Sequence, residues 1–120
     1  MHLFIKKGED KAIKLPLLDS GHPIDVGTAG LVHNITATVF SGQTETSARY
    51  SISDQSEFQE LTIDSMNNNV LKFQLLGKDT THFPYGILTV RVKIYWVDNG
   101  FPENTRLQIL TIPLGRVVNY

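Results

Sequence analysis

Four histidines stand at positions 2, 22, 33 and 82, and no two of them have the spacing that would bring both to one metal ion from a single element. His33 falls on the apolar parity of an alternating stretch and reads as a packed or hydrogen-bonded structural side chain. His82 adjoins Phe83 and Pro84 in a loop. Glu9, Asp10, Asp19 and Asp25 lie near turns, where carboxylates can gather round a calcium ion that takes about six to eight oxygens. Their spacing matches no EF-hand, and solvated acidic turns account for them. Asp54, Glu57 and Glu60 read as a polar loop, since nothing beside them would raise one carboxyl pKa for acid–base work. Ser20-Gly21, Ser41-Gly42 and Thr80-Thr81 offer hydroxyls without a nucleophile elbow. Gly27-Thr28-Ala29-Gly30 is too short for a phosphate cradle and lacks its lysine. The chain has no cysteine, which removes disulfides, thiol catalysis and thiolate metal sites. No catalytic set, cofactor or metal is therefore expected.

The remaining chemistry is that of surfaces. Tyr50, Tyr85, Tyr95 and Phe101 are aromatic groups able to form an exposed platform. Arg91 and Lys93 flank Tyr95, but no basic stripe extends the pair, and at a net charge of −1 no global field steers the chain to nucleic acid or an anionic membrane. An enzyme on a jelly-roll scaffold would need clustered histidines and carboxylates, which the sequence does not supply.

The elements that must position these groups are strands. In 87–97, Leu88, Val90, Val92, Ile94 and Trp96 share one parity, while Thr89, Arg91, Lys93 and Tyr95 share the other. That period of two predicts a long antiparallel strand with one face buried and one in water, and Trp96 near the centre of the core. Leu31, His33, Ile35, Ala37 and Val39 predict a second strand over 31–40. Ala48, Tyr50 and Ile52 predict a third, after a loop at 41–46. Ile13, Leu15 and Leu17 form a strand that Pro16 consigns to a sheet edge or a crossing between sheets. Leu71, Phe73 and Leu75 point inward from another, after a turn with three consecutive asparagines at 67–69. Residues 60–64 form a short strand, 78–86 an irregular crossing, 106–112 the last long strand, and 117–120 a short extended tail. Seven to nine strands at intervals of roughly ten residues, without an amphipathic helix, predict one all-β domain over 1–120, a sandwich or barrel. Its 41% apolar and 19% charged residues suit a folded chain. The apolar run at Leu3-Phe4-Ile5 is too short for a signal peptide, and no stretch nears the ~20 apolar residues of a membrane span.

Several of these words resemble a known family. Lys7-Gly8-Glu9-Asp10, then Ile13-Lys14-Leu15-Pro16-Leu17-Leu18-Asp19, then Gly21-His22-Pro23-Ile24-Asp25-Val26, is similar to the opening of immunoglobulin-like domains in bacteriophage structural proteins. The parallel is with the N-terminal domain of baseplate upper proteins and with fibre or head-decoration adaptors. Phe83-Pro84-Tyr85-Gly86-Ile87-Leu88-Thr89-Val90 stands where that family places a Pro-x-Gly-x-Tyr type segment before a long strand, with Leu88 in the place of its aromatic. The similarity covers both ends of the chain and is loose between Ser41 and Asn69.

The resemblance implies an immunoglobulin-like antiparallel β-sandwich of about seven to nine strands. It also implies a non-enzymatic virion component, assembled in the bacterial cytoplasm, that docks a fibre, tail or head appendage. Its partners would be other virion proteins or copies of itself, with neither nucleic acid nor membrane involved. Leu3, Phe4 and Ile5 at one end, and Val117, Val118 and Tyr120 at the other, are candidate interface strands, because terminal apolar strands can add to a neighbour's open edge. The competing reading is a carbohydrate- or ligand-binding module using Tyr85, Tyr95 and Phe101.

Overall fold

A computed structural model describes residues 3–28, 30–51, 61–97 and 105–119, with the backbone alone at 45–51 and 105. In chain order the elements are β1 (Leu3–Lys6), β2 (Lys11–Pro16), β3 (Leu18–Asp19), β4 (His22–Pro23), β5 (Val32–Ser41), β6 (Thr44–Ser51), β7 (Leu61–Ile63), β8 (Val70–Leu75), the helical turn α1 (Gly77–Thr80), β9 (Gly86–Val97) and β10 (Thr105–Val118). The fold is mostly β. Its strands form a five-stranded sheet in the order β1-β10-β9-β5-β6, a three-stranded sheet β2-β8-β7 and a two-stranded ribbon β3-β4.

The alternation read at 87–97 becomes β9, paired antiparallel with β10 on one side and β5 on the other. Leu88, Val90, Val92 and Ile94 are fully buried, while Arg91 on the opposite parity is exposed. Ile13, Leu15 and Leu17, with Leu71, Phe73 and Leu75, join them in one core cluster, so the three-stranded and five-stranded sheets share one apolar core. Each such side chain contributes about 1.5–3 kcal/mol by leaving water, which makes this shared layer the main source of stability. Among the described residues β2 pairs only with β8, so Pro16 lies on an edge strand there, where its missing N–H breaks no inner ladder.

Several expectations need correction. The strand expected from Leu31 starts at Val32, and the register shifts between Val32 and Asn34, leaving His33 at a bulge. An extra residue in one strand rotates what precedes it by one side-chain position, so Val32 is buried while Leu31 is exposed and His33 only half-buried. Trp96 is at the margin of the core. Its Nε1 donates to Gln108 Oε1 at 2.9 Å and Arg106 lies over its ring, which satisfies an indole N–H that a dry core would strand. Phe83, from the crossing segment, is the largest fully buried side chain among the described residues. The loop expected over 41–46 reduces to a tight turn at Gly42-Gln43 between β5 and β6. The crossing after β8 contains α1, and Val117 and Val118 of the expected tail are the end of one long strand that bulges between Pro113 and Gly115.

Candidate functional site

The two ends of the chain meet. β1 lies parallel to the end of β10, with Leu3 opposite Gly115, Phe4 opposite Arg116, Ile5 opposite Val117 and Lys6 opposite Val118. The terminal strands read as candidates for exchange are thus paired with each other within the chain. Gly115 permits this approach, because a Cβ there would strike the Leu3 backbone. Ile5 and Val117 point into the core, and Leu3 packs against it. Phe4 points outward and is 54% exposed.

The next turn is held by α1. The buried Thr80 hydroxyl accepts from the Gly8 N–H at 3.1 Å and donates to the Glu9 carbonyl at 3.0 Å. The Gly77 N–H donates to the Asp10 carboxylate, and Glu9 Oε2 accepts from the Lys6 N–H at 2.9 Å. Gly77 is needed because a Cβ there would collide with the Gly8 carbonyl. So braced, the turn sets Lys7 Nζ 4.1 Å from the centre of the Tyr85 ring. Tyr85 is located from the other side by buried Ser41, whose Oγ donates to the Pro84 carbonyl at 2.7 Å.

Across the outer face of three adjacent strands, Phe4, Arg116 and Ile87 stand in one row, since Arg116 is the register partner of both Phe4 and Ile87. Beside them opens a shallow cleft of about 460 Å³ lined by Phe4, Tyr85, Gly86, Arg116, Val117, Val118 and Asn119. Its lining is aromatic and aliphatic with one guanidinium, and Lys7 stands over Tyr85. No carboxylate or imidazole is among the lining residues. Such a surface can stack against an apolar side chain and pair with a carboxylate.

Of the residues singled out in the sequence, Phe4, Tyr85, Val117 and Val118 therefore gather at this cleft. Tyr95 does not: it lies near the far end of β9, ten residues from Tyr85 and roughly 30 Å along an extended strand. Phe101 and Tyr120 lie outside the described residues. His22 and His82 are exposed on separate segments, and His2 lies outside the described residues. Among the described residues no three His, Asp or Glu side chains converge as metal ligands. Asp25 instead closes its own turn, accepting from the Gly27 and Thr28 N–H groups at 3.0 Å and from the Thr28 hydroxyl. The Thr28 hydroxyl first, and its backbone N–H second, hold the Asp25 carboxyl below the usual range.

Lys7, Ile87 and Arg116 were not singled out from the sequence. Ile87 carried a signal, since it falls on the solvent parity of β9 and is 67% exposed. Arg116 carried none, because its place beside Phe4 depends on a parallel pairing between the chain ends. Comparison of the chain with protein-family models, with curated proteins and with solved structures finds no match. Among the described residues no helix is long and apolar enough to cross a membrane.

Proposed function

We propose that the chain is a non-enzymatic assembly module, an immunoglobulin-like β-sandwich serving as a phage or prophage virion component that docks a fibre, tail or head appendage. The single observation that carries a docking role is the Phe4–Arg116–Ile87 row beside the Tyr85 cleft. Large apolar groups stand in water there, with two cations at hand and no acid among the lining residues. Support for the sandwich type comes from strand order. β10, β9, β5 and β6 follow one another in the order that strands G, F, C and C′ would, and β2, β8 and β7 in the order that B, E and D would. The disulfide of antibody domains has no counterpart in a chain without cysteine, and the tryptophan lies on β9 instead of the C-strand position. The phage context rests on the resemblance of the segments 7–26 and 83–90.

Mass spectrometry of purified particles from the strain that carries the gene tests this reading. The chain should be present in stoichiometric amount, with amine cross-links from Lys6 or Lys7 to another virion protein. Its absence from intact particles would overturn the role.

A further inference from the structure

β10 has fourteen residues, of which β1 covers only Gly115 to Val118; among the described residues no strand pairs with the outer edge of Thr105 to Leu114. The other edges carry the usual defences against strand addition. β7 is three residues long, and β1 is four and ends in Lys6. β2 contains Lys11, Lys14 and Pro16, and β6 contains Glu45 and Arg49. By contrast Leu107-Gln108-Ile109-Leu110-Thr111-Ile112 has neither charge nor proline. Leu107 and Ile109 are 47% and 52% exposed on the outer face. Backbone N–H and C=O groups along such an edge accept one kind of occupant, an extended strand.

We infer that this edge binds the same edge of a second copy, antiparallel about a two-fold axis at Ile109. That names one partner for the assembly role proposed above and so rests on that reading. The segment is self-complementary in this register. Ile109 meets its own copy, Leu107 meets Thr111, Gln108 meets Leu110, and Pro113 falls opposite Thr105 at each end, where a missing N–H terminates the ladder. The one charge, Arg106, lies opposite Ile112. The two copies of Arg106 then sit roughly 20 Å apart, beyond a Debye length of about 8–10 Å, so no like charges oppose the contact. The two five-stranded sheets become one continuous sheet, with a single apolar strip of Leu107 and Ile109 from both copies.

The experiment uses the full chain. Light scattering over a concentration series should show a monomer–dimer equilibrium. Ile109→Lys places two ammonium groups face to face and should raise the dissociation constant at least about tenfold, with an unchanged urea midpoint as evidence of folding. Because the chain has no cysteine, register is tested directly. Ile109→Cys should form a covalent dimer on mild oxidation. Leu107→Cys and Thr111→Cys should cross-link to each other on mixing, and Ile87→Cys should lag all of these. A monomer at every concentration, or a dimer indifferent to Ile109→Lys, overturns the inference. A monomer still found in purified particles would do so while leaving the assembly reading intact. A dimer absent from particles would overturn the assembly reading alone.

Discussion

The two ends of β10 solve the problem of an exposed strand edge in opposite ways. At Gly115 to Val118 the edge is covered by β1, which seats Ile5 in the core through a glycine too small to block it. From Thr105 to Leu114 no described strand covers it, and its outward side chains include two large aliphatic groups. The contrast shows that coverage depends on a local fit. The described cover begins at Gly115, where β10 bulges and carries no Cβ to meet the Leu3 backbone.

Gly115→Val should break the comparison most strongly. The new side chain would collide with the Leu3 backbone, displace β1 and destabilise the fold by about 3 kcal/mol or more, a scale set by losing the burial of a residue such as Ile5. Urea unfolding measures it, and an unchanged midpoint would show that β1 does not depend on this glycine. Next, Ile5→Ala and Ile109→Ala compare one residue type at the covered and the open end. The first should cost about 2–5 kcal/mol and the second stay within about 0.5 kcal/mol in a monomer, as read from urea midpoints at low protein concentration. Equal losses would remove the distinction between the two ends.

Thr80→Val asks whether the brace beneath β1 matters. It leaves the Gly8 N–H and Glu9 carbonyl without their partner and should cost about 1–3 kcal/mol. Protection of the Gly8 amide from hydrogen exchange should fall with it, and unaltered protection would count against the brace.

The smallest effects lie away from β10. Asp25 is held low chiefly by Thr28, and Asp64 chiefly by the Asn67 side-chain amide, with Lys72 adding to it. A carboxyl with a lowered folded pKa favours the folded state above its unfolded value and loses that contribution as pH falls through the folded one. Asp25→Asn and Asp64→Asn should therefore each flatten the loss of stability in acid below the ordinary carboxylate range. Chemical unfolding at neutral and acid pH checks this, and a parallel pair of curves for parent and variant would contradict it.

Much of the architecture was legible because alternation is a local property. Leu88, Val90, Val92 and Ile94, or Ile13, Leu15 and Leu17, declare their buried face in any register that keeps the strand intact. Pro16 marked an edge for an equally local reason, its missing N–H. The candidate cleft was half legible. Phe4, Tyr85, Val117 and Val118 were singled out as terminal strands or free aromatics, but separate reasons put them forward. Nothing in the sequence joined them, or predicted that Tyr95 would lie apart.

By itself the sequence determined that the chain is built of strands, which face of 88–94, 13–17 and 71–75 leaves water, and that no thiol chemistry is available. Tertiary structure decided three further things. It placed β1 parallel on β10, bringing Phe4 beside Arg116. It shifted His33 and Leu31 off the core by a bulge. It left one stretch of β10 without a described neighbour. Each depends on pairing between segments far apart in the chain. Pairing energy lies in the match between two strands and their closest approach, and a single strand's pattern holds only half of that match.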